Sequence, residues 1–250
     1  PLDKNLRPNI GHINSAIKAI ASNLEKDDLV ILRSTVPVGI TRNVVIPILE
    51  EFSKLVAGKD FSVSFAPERT LEGRALIELE TNPQIIGGID GKSVSQTSDL
   101  FKNLTSDIVN VSSVESAEMI KIIDNSYRDS LFSFSNEIAL LSEKLGLDAS
   151  ELIDAANYNY PRNSISKPSP GVGGACLSKD PYILIDLAEK NDYSADLIKA
   201  ARKTNESVTA EMVQRIKVTL NDMGKNIEDS KILIVGFAFK GNPVTSDLRG

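Results

Sequence analysis

The chain has one cysteine, one histidine and no tryptophan among its 250 residues. A lone thiol, Cys176, excludes an intrachain disulfide and any site built from several thiolates. A lone imidazole, His12, leaves little for histidine acid–base chemistry or a histidine-rich metal site, so no metal is expected. Aromatic residues make up only 5%, no Lys/Arg stripe with interleaved aromatics occurs, and the net charge is −6. These features argue against a nucleic-acid partner, although a locally basic pocket for a small anion stays open in an acidic protein. No apolar run approaches the ~20 residues of a membrane span, and no basic, apolar leader opens the chain. With the single cysteine, this points to a cytoplasmic protein without a membrane partner. Catalysis, if present, falls to Cys, Lys, Asp and Glu.

What is present is an apolar content of 41% and a charged content of 25%, enough for one large core or two modest ones. The chain opens on "PLDKN" without Met and stops on "SDLRG" soon after an apolar run, which reads as a fragment of a longer protein. Over the first ~110 residues helical and strand patterns alternate. Helical periodicity in "IGHINSAIKAIASNLEK" and "TRNVVIPILEEFSKLV" is interleaved with the strand-like runs "DLVILRS" and "FSVSFAP". A short helix near Leu71–Leu79, a strand in "PQIIGGI", a helix over 91–104 and a strand in "DIVNV" follow. This alternation predicts an α/β fold with a parallel sheet covered on both sides.

From Ser112 the pattern becomes wholly helical. A proline-free run of roughly 34 residues begins with a capping-box spacing, Ser112 to Glu115, and predicts a helix about 50 Å long. A second capping box, Asp148 to Glu151, opens "DASELIDAANYN". Two further helices are expected in "DPYILIDLAEKN" and in the long stretch from "SADLIKAARKTNES" to "NDMG". The final "SKILIVGFAFKGN" reads as the first strand of another α/β domain. The expected organisation is residues 1–111 in one domain, 112–226 in a central helical domain and 227–250 opening a third.

Cys176 ends a glycine-rich stretch, "PGVGGACLSKDP", and precedes a helix expected to begin near Asp180-Pro181. Lys179 nearby and a helix N-terminus would both favour a thiolate, whereas free cysteines are also commonly plain core residues. The loop lacks the Gly-Lys-Ser/Thr of a phosphate-cradling loop. Lys121 and Asn125, four residues apart in "IKIIDN", share a helix face that is either a pocket wall or solvated. Glu68 and Glu72 in "APERTLEG" follow a strand, where paired carboxylates serve as a base and its orienter or simply decorate a helix N-terminus. "RSTVPVG" likewise ends a strand with hydroxyls before a Pro-Gly turn.

Taken in order, "STVPVG", "APERTLEG", "NPQIIGG", "AEMIKIIDNSY", "FSNEIA", "PGVGGACLSKDP" and "GFAFKGN" resemble the UDP-glucose/GDP-mannose dehydrogenase family of nucleotide-sugar 6-dehydrogenases. The resemblance covers essentially the whole chain. It implies a partial Rossmann-type NAD domain, a central all-helical domain whose long helix builds a homodimer, and the start of a second Rossmann-like domain. It further implies NAD as cofactor, a nucleotide-sugar substrate, and oxidation of the C6 alcohol to a uronic acid through a thiohemiacetal and a thioester on Cys176. By the same resemblance Lys121 stabilises oxyanion-like states with Asn125 beside it. Asp180 holds or activates water, and Glu68 or Glu72 is the hydrolytic base. Thr35 meets cofactor and reacting water, Lys179 and Arg249 approach the cofactor, and Gly171, Gly173, Gly174 and Lys240 face the substrate.

Two departures stand out. No G-x-G-x-x-G fingerprint is present, so the fragment by itself is expected to turn over poorly. The turn "FKGNPVTSDLR" leans toward the branch acting on N-acetylated hexosamines rather than glucose or mannose. A non-catalytic helical dimerisation module is the alternative outside the enzyme class, and a thiol oxidoreductase lacks a resolving cysteine.

Overall fold

In the computed structural model, which describes residues 1–71, 73–174 and 176–236, four short runs rich in β-branched and apolar side chains become strands. They are β1 (Leu29–Leu32), β2 (Ser62–Phe65), β3 (Gln84–Gly88) and β4 (Ile108–Asn110), side by side in that order. Strand β1 runs parallel to β2, with Leu29 opposite Ser62, and β3 runs parallel to β4, with Gln84 opposite Ile108. The middle pair is antiparallel, with Ser64 opposite Gly88, so the sheet is mixed where a parallel one was expected. The connection explains the reversal. A parallel return needs a crossover helix packed on the sheet, but the helix between β2 and β3, α3 (Ala75–Thr81), buries none of its residues.

Helices α1 (Gly11–Ala21), α2 (Ile46–Ser53) and α4 (Gly91–Phe101) cover the sheet, and a π-helical turn, Thr41–Val45, leads into α2. On one face Val30, Leu32, Val63, Phe65 and Ile85 pack with Ile17, Ala21, Val45 and Leu49. Ile86 instead packs with Phe101 of α4. Strand β2 is buried along its whole length because its alternate side chains meet different partners. Val63 and Phe65 enter the apolar core, each burial stabilising by about 1.5–3 kcal/mol. Ser64 donates to the Ser93 carbonyl at 3.0 Å and accepts from the Thr97 hydroxyl at 2.8 Å.

The remaining helices are α5 (Val114–Lys144), α6 (Ala149–Asn157), α7 (Asp180–Lys190) and α8 (Asp196–Asp222). The 31 residues of α5 span about 46 Å. Its start departs from the expected box. Ser113, not Ser112, accepts the Ser116 N–H at 3.1 Å, because Glu115 is drawn off to Arg42 at 2.6 Å. The box at α6 forms in part, with Asp148 accepting from Ser150 and Glu151. Gly87 lets the start of α5 cross the sheet, since a Cβ there would stand 2.1 Å from the Ser113 carbonyl oxygen.

Packing divides the chain into two units, Pro1–Asp124 with Tyr182–Tyr193, and Asn125–Pro181 with the chain from Ser194 onward. Residues 231–236, where a strand was expected, adopt none, and Leu233, Ile234 and Val235 are exposed. A strand needs a neighbour to accept its ladder hydrogen bonds, and none of the described strands pairs with this segment. No described helix is long and apolar enough to cross a membrane.

Candidate functional site

In the first unit, the parallel pair β1 and β2 delivers two loops at its C-terminal end, the side on which open α/β sheets take ligands. Half-buried Thr35 follows β1, and Glu68 follows β2. Arg33 bridges to Glu68 Oε2 at 2.6 Å, and the Thr70 N–H donates to Glu68 Oε1 at 2.8 Å. Partial burial pushes the Glu68 carboxyl upward, but the Thr70 and Arg33 donors outweigh it and hold the group below its ordinary value. Such a carboxylate is ionised at neutral pH and weakly basic. The Lys121 ammonium donates to the main-chain carbonyl of Glu68, so two of the sequence candidates meet here. Arg69 Nη2 donates to the Pro83 carbonyl at 2.7 Å and Nη1 pairs with Asp124 at 3.3 Å, tying the loop after β2 to α5.

One residue of this unit escaped the sequence reading. Glu118 is fully buried on α5, a turn before Lys121. Its carboxylate accepts from the Gly39 N–H at 2.6 Å, the Thr41 N–H at 2.8 Å and the Thr41 hydroxyl at 2.6 Å. It therefore clamps the loop that leaves Thr35 and enters the π-helical turn. Burial pushes the Glu118 carboxyl above its ordinary value, against the Thr41 and Gly39 donors that favour the ionised form. Its only sequence signal was its place inside "AEMIKIIDNSY".

In the second unit, α7 begins at Asp180 as expected, and the Cys176 carbonyl accepts the N–H groups of Lys179 at 3.1 Å and Asp180 at 2.9 Å. Cys176 itself is exposed. Asp180 is fully buried at the first position of α7, where the helix dipole favours a negative charge. Its carboxylate accepts from Asn125 Nδ2 at 2.6 Å and is paired with the Lys179 ammonium. Gly171 is buried, Gly173 and Gly174 are half-buried, and Gly174 takes φ +91°, a conformation suited to glycine. Structure thus joins Asn125, Asp180 and Lys179 around the segment that carries Cys176. Glu72, Lys240 and Arg249 lie outside the described residues. Among the described residues no group of three His, Cys, Asp or Glu side chains is placed to hold a metal ion.

For NAD, the chain offers the strand-end loops bearing Thr35 and Arg33 but no glycine fingerprint for the pyrophosphate.

Residues 1–105 match a family model described as UDP-glucose/GDP-mannose dehydrogenase family, NAD binding domain, and residues 115–207 match the central domain of the same family. The UDP-N-acetyl-D-mannosamine dehydrogenase of Campylobacter jejuni is 38% identical over 98% of this chain and 59% of its own. Its namesake in Methanocaldococcus jannaschii is 35% identical over 92% of this chain and 50% of its own. The solved structure of UDP-D-ManNAc dehydrogenase from Pyrococcus horikoshii superposes with a TM-score of 0.89 at 34% identity, covering 96% of this chain and 56% of that one. The chain thus spans between 50% and 59% of the length of these relatives.

Proposed function

Because the chain belongs to the UDP-glucose/GDP-mannose dehydrogenase family, we propose that the protein carrying it oxidises the C6 alcohol of a nucleotide sugar to a carboxylate, with UDP-N-acetyl-D-mannosamine as substrate. The observation that carries this is the exposed lone thiol of Cys176, whose own carbonyl caps the helix that starts at the buried Asp180. The names of the relatives support the choice of sugar. NAD supplies the chemistry of hydride acceptance, two molecules per sugar, with Thr35, Lys179 and Arg249 toward it.

After the first oxidation, the Cys176 thiolate adds to the aldehyde carbon and forms a thiohemiacetal. The second oxidation removes a hydride and a proton and leaves a thioester. Water then adds, the C–S bond breaks, and the carboxylate leaves with the thiol restored. Covalent capture divides a hard oxidation into easier steps. The Lys121 ammonium has three N–H groups, of which the Glu68 carbonyl takes one, and the rest serve the oxyanion. Asn125 and Asp180 orient the water, and Gly171, Gly173, Gly174 and Lys240 face the sugar nucleotide. Glu68 is committed to Arg33 and Thr70, which favours Glu72 as the hydrolytic base. In this reading residues 1–111 serve the cofactor, 112–226 carry the cysteine and the dimer, and 227–250 open the nucleotide domain.

The test is NADH yield per limiting sugar from the chain together with any sequence flanking it. UDP-N-acetyl-D-mannosamine should give two NADH per sugar, and Cys176→Ser should abolish this. Glu72→Gln should stall at the thioester. Two NADH from UDP-glucose or GDP-mannose alone would move the substrate, and none from any of them would overturn the dehydrogenase.

A homodimer is supported by Tyr127, Phe134 and Leu141, which recur at heptad spacing on α5 and are 62%, 52% and 53% exposed. Light scattering should give twice the chain mass, and Phe134→Glu should halve it. A wild-type monomer at all concentrations would defeat the proposal.

A further inference from the structure

The segment that bears Cys176 is poorly suited to hold itself in place. It contains Pro168, Pro170 and the glycines 171, 173 and 174, and glycine loses more conformational freedom on ordering than any other residue. Fixing each backbone position costs conformational entropy, so anchors from outside the loop must offset that cost. Two of its own hydroxyls help locally, Ser169 donating to the Gly171 carbonyl at 2.7 Å and Ser178 to the Gly174 carbonyl at 3.0 Å.

The larger anchor is a closed chain of buried polar groups within the second unit. The Ser169 N–H donates to Asn136 Oδ1 at 2.8 Å. Asn136 Nδ2 donates to Asn205 Oδ1 at 3.0 Å. Asn205 Nδ2 donates to the Asp129 carboxylate at 2.8 Å and to its main-chain carbonyl at 2.9 Å. Arg202 Nη1 pairs with the same carboxylate oxygen at 2.7 Å and donates to the Leu177 carbonyl at 3.2 Å. The path starts before the glycines and returns to the chain one residue after the cysteine. All four side chains are buried, with Asp129 fully enclosed. A buried polar chain with its donors and acceptors matched in sequence has one geometry, because reversing either amide sets donor against donor.

We propose that Asn136, Asn205, Asp129 and Arg202 are positioning residues that set the place of the Cys176 thiol by holding its loop at Ser169 and at Leu177. This rests on the reading of Cys176 as the nucleophile and deepens it. The four residues act through the loop and meet no substrate.

Two measurements test it. In hydrogen exchange on the 250-residue chain, Asn205→Asp, which sets a second carboxylate against Asp129, should speed exchange of the Lys179 and Asp180 amides bonded to the Cys176 carbonyl. Exchange in the β1–β4 sheet should stay as in the wild type. Arg202→Lys, which keeps the charge but ends one bond short of the Nη1 that meets both Asp129 and Leu177, should do the same. In turnover of UDP-N-acetyl-D-mannosamine by the chain together with any sequence flanking it, both variants should lower kcat about 100-fold, the effect of a ~1 Å misplacement, with the KM for NAD unchanged. Unchanged exchange at 179–180, or exchange raised equally in the sheet, would overturn the proposal, as would a kcat equal to wild type. A wild type that makes no NADH would defeat the dehydrogenase reading alone and leave the exchange experiment to decide the anchor.

Discussion

Glu118 in the first unit and Asp129 in the second are both completely buried carboxylates, and the two are held by opposite means. Glu118 in the first unit faces two backbone N–H groups and a hydroxyl, with no cation among its hydrogen-bond partners. Asp129 in the second faces the Arg202 guanidinium and the Asn205 amide, and its Oδ2 accepts no hydrogen bond among the described residues. Burial pushes both carboxyls above their ordinary values. Opposite charge is therefore not required to seat a buried carboxylate, and its presence does not cancel the cost of burial. What the partners decide is which piece of chain is held. Glu118 holds the loop that bears Thr35, and Asp129 acts through Arg202 on the loop that bears Cys176.

Removing one partner should separate the two cases. Arg202→Met strands the Asp129 charge and should cost about 3–5 kcal/mol in urea unfolding. The Asp129→Leu, Arg202→Met double variant should recover much of that, since replacing both members of a buried pair is often neutral. If the double variant is no better than Arg202→Met, the pair is a net source of stability and the comparison fails.

Glu118→Gln should cost less, about 1–3 kcal/mol, because its amide turns one acceptor into a donor facing the Gly39 or Thr41 N–H. That loss should also depend on pH. A carboxyl raised in the folded state contributes stability that is fully present below its ordinary value of 4.5 and is lost as pH rises through the folded value. Glutamine does not titrate, so the gap between wild type and Glu118→Gln should be widest near pH 4 and narrow above it. A gap that widens with pH would reverse the sign of the Glu118 shift.

The polar residues of α5 mark the point at which the sequence reading stopped. Asn125, Asp129, Ser133 and Asn136 recur at spacings of three and four along the helix, and polar stripes of that kind ordinarily face water. Here all four are buried. Ser133 donates to the Ser130 carbonyl within the helix, but Asn125, Asp129 and Asn136 meet Asp180, Arg202, Asn205 and Ser169, far away in sequence, so no local pattern announces them. The same is true of Glu118, whose three donors lie in the loop 39–41. The spacing of a polar stripe was legible, but not the side of the helix on which it would be enclosed.

Much else was settled locally. The periodicity of apolar residues indicated the eight helices and four strands found among the described residues, in their order, and the start of α7 just beyond Cys176, because these depend on near neighbours along the chain, though it also indicated a strand at 231–236 that does not form. The motif order determined the family. Tertiary structure alone decided that β3 runs against β2, that Ser113 rather than Ser112 caps α5, and that the residues of α5 and α8 close a circuit around the cysteine loop. Each of these turns on which groups remain unpaired once the chain is packed, and a buried polar group finds its partner by proximity in space rather than by distance along the sequence.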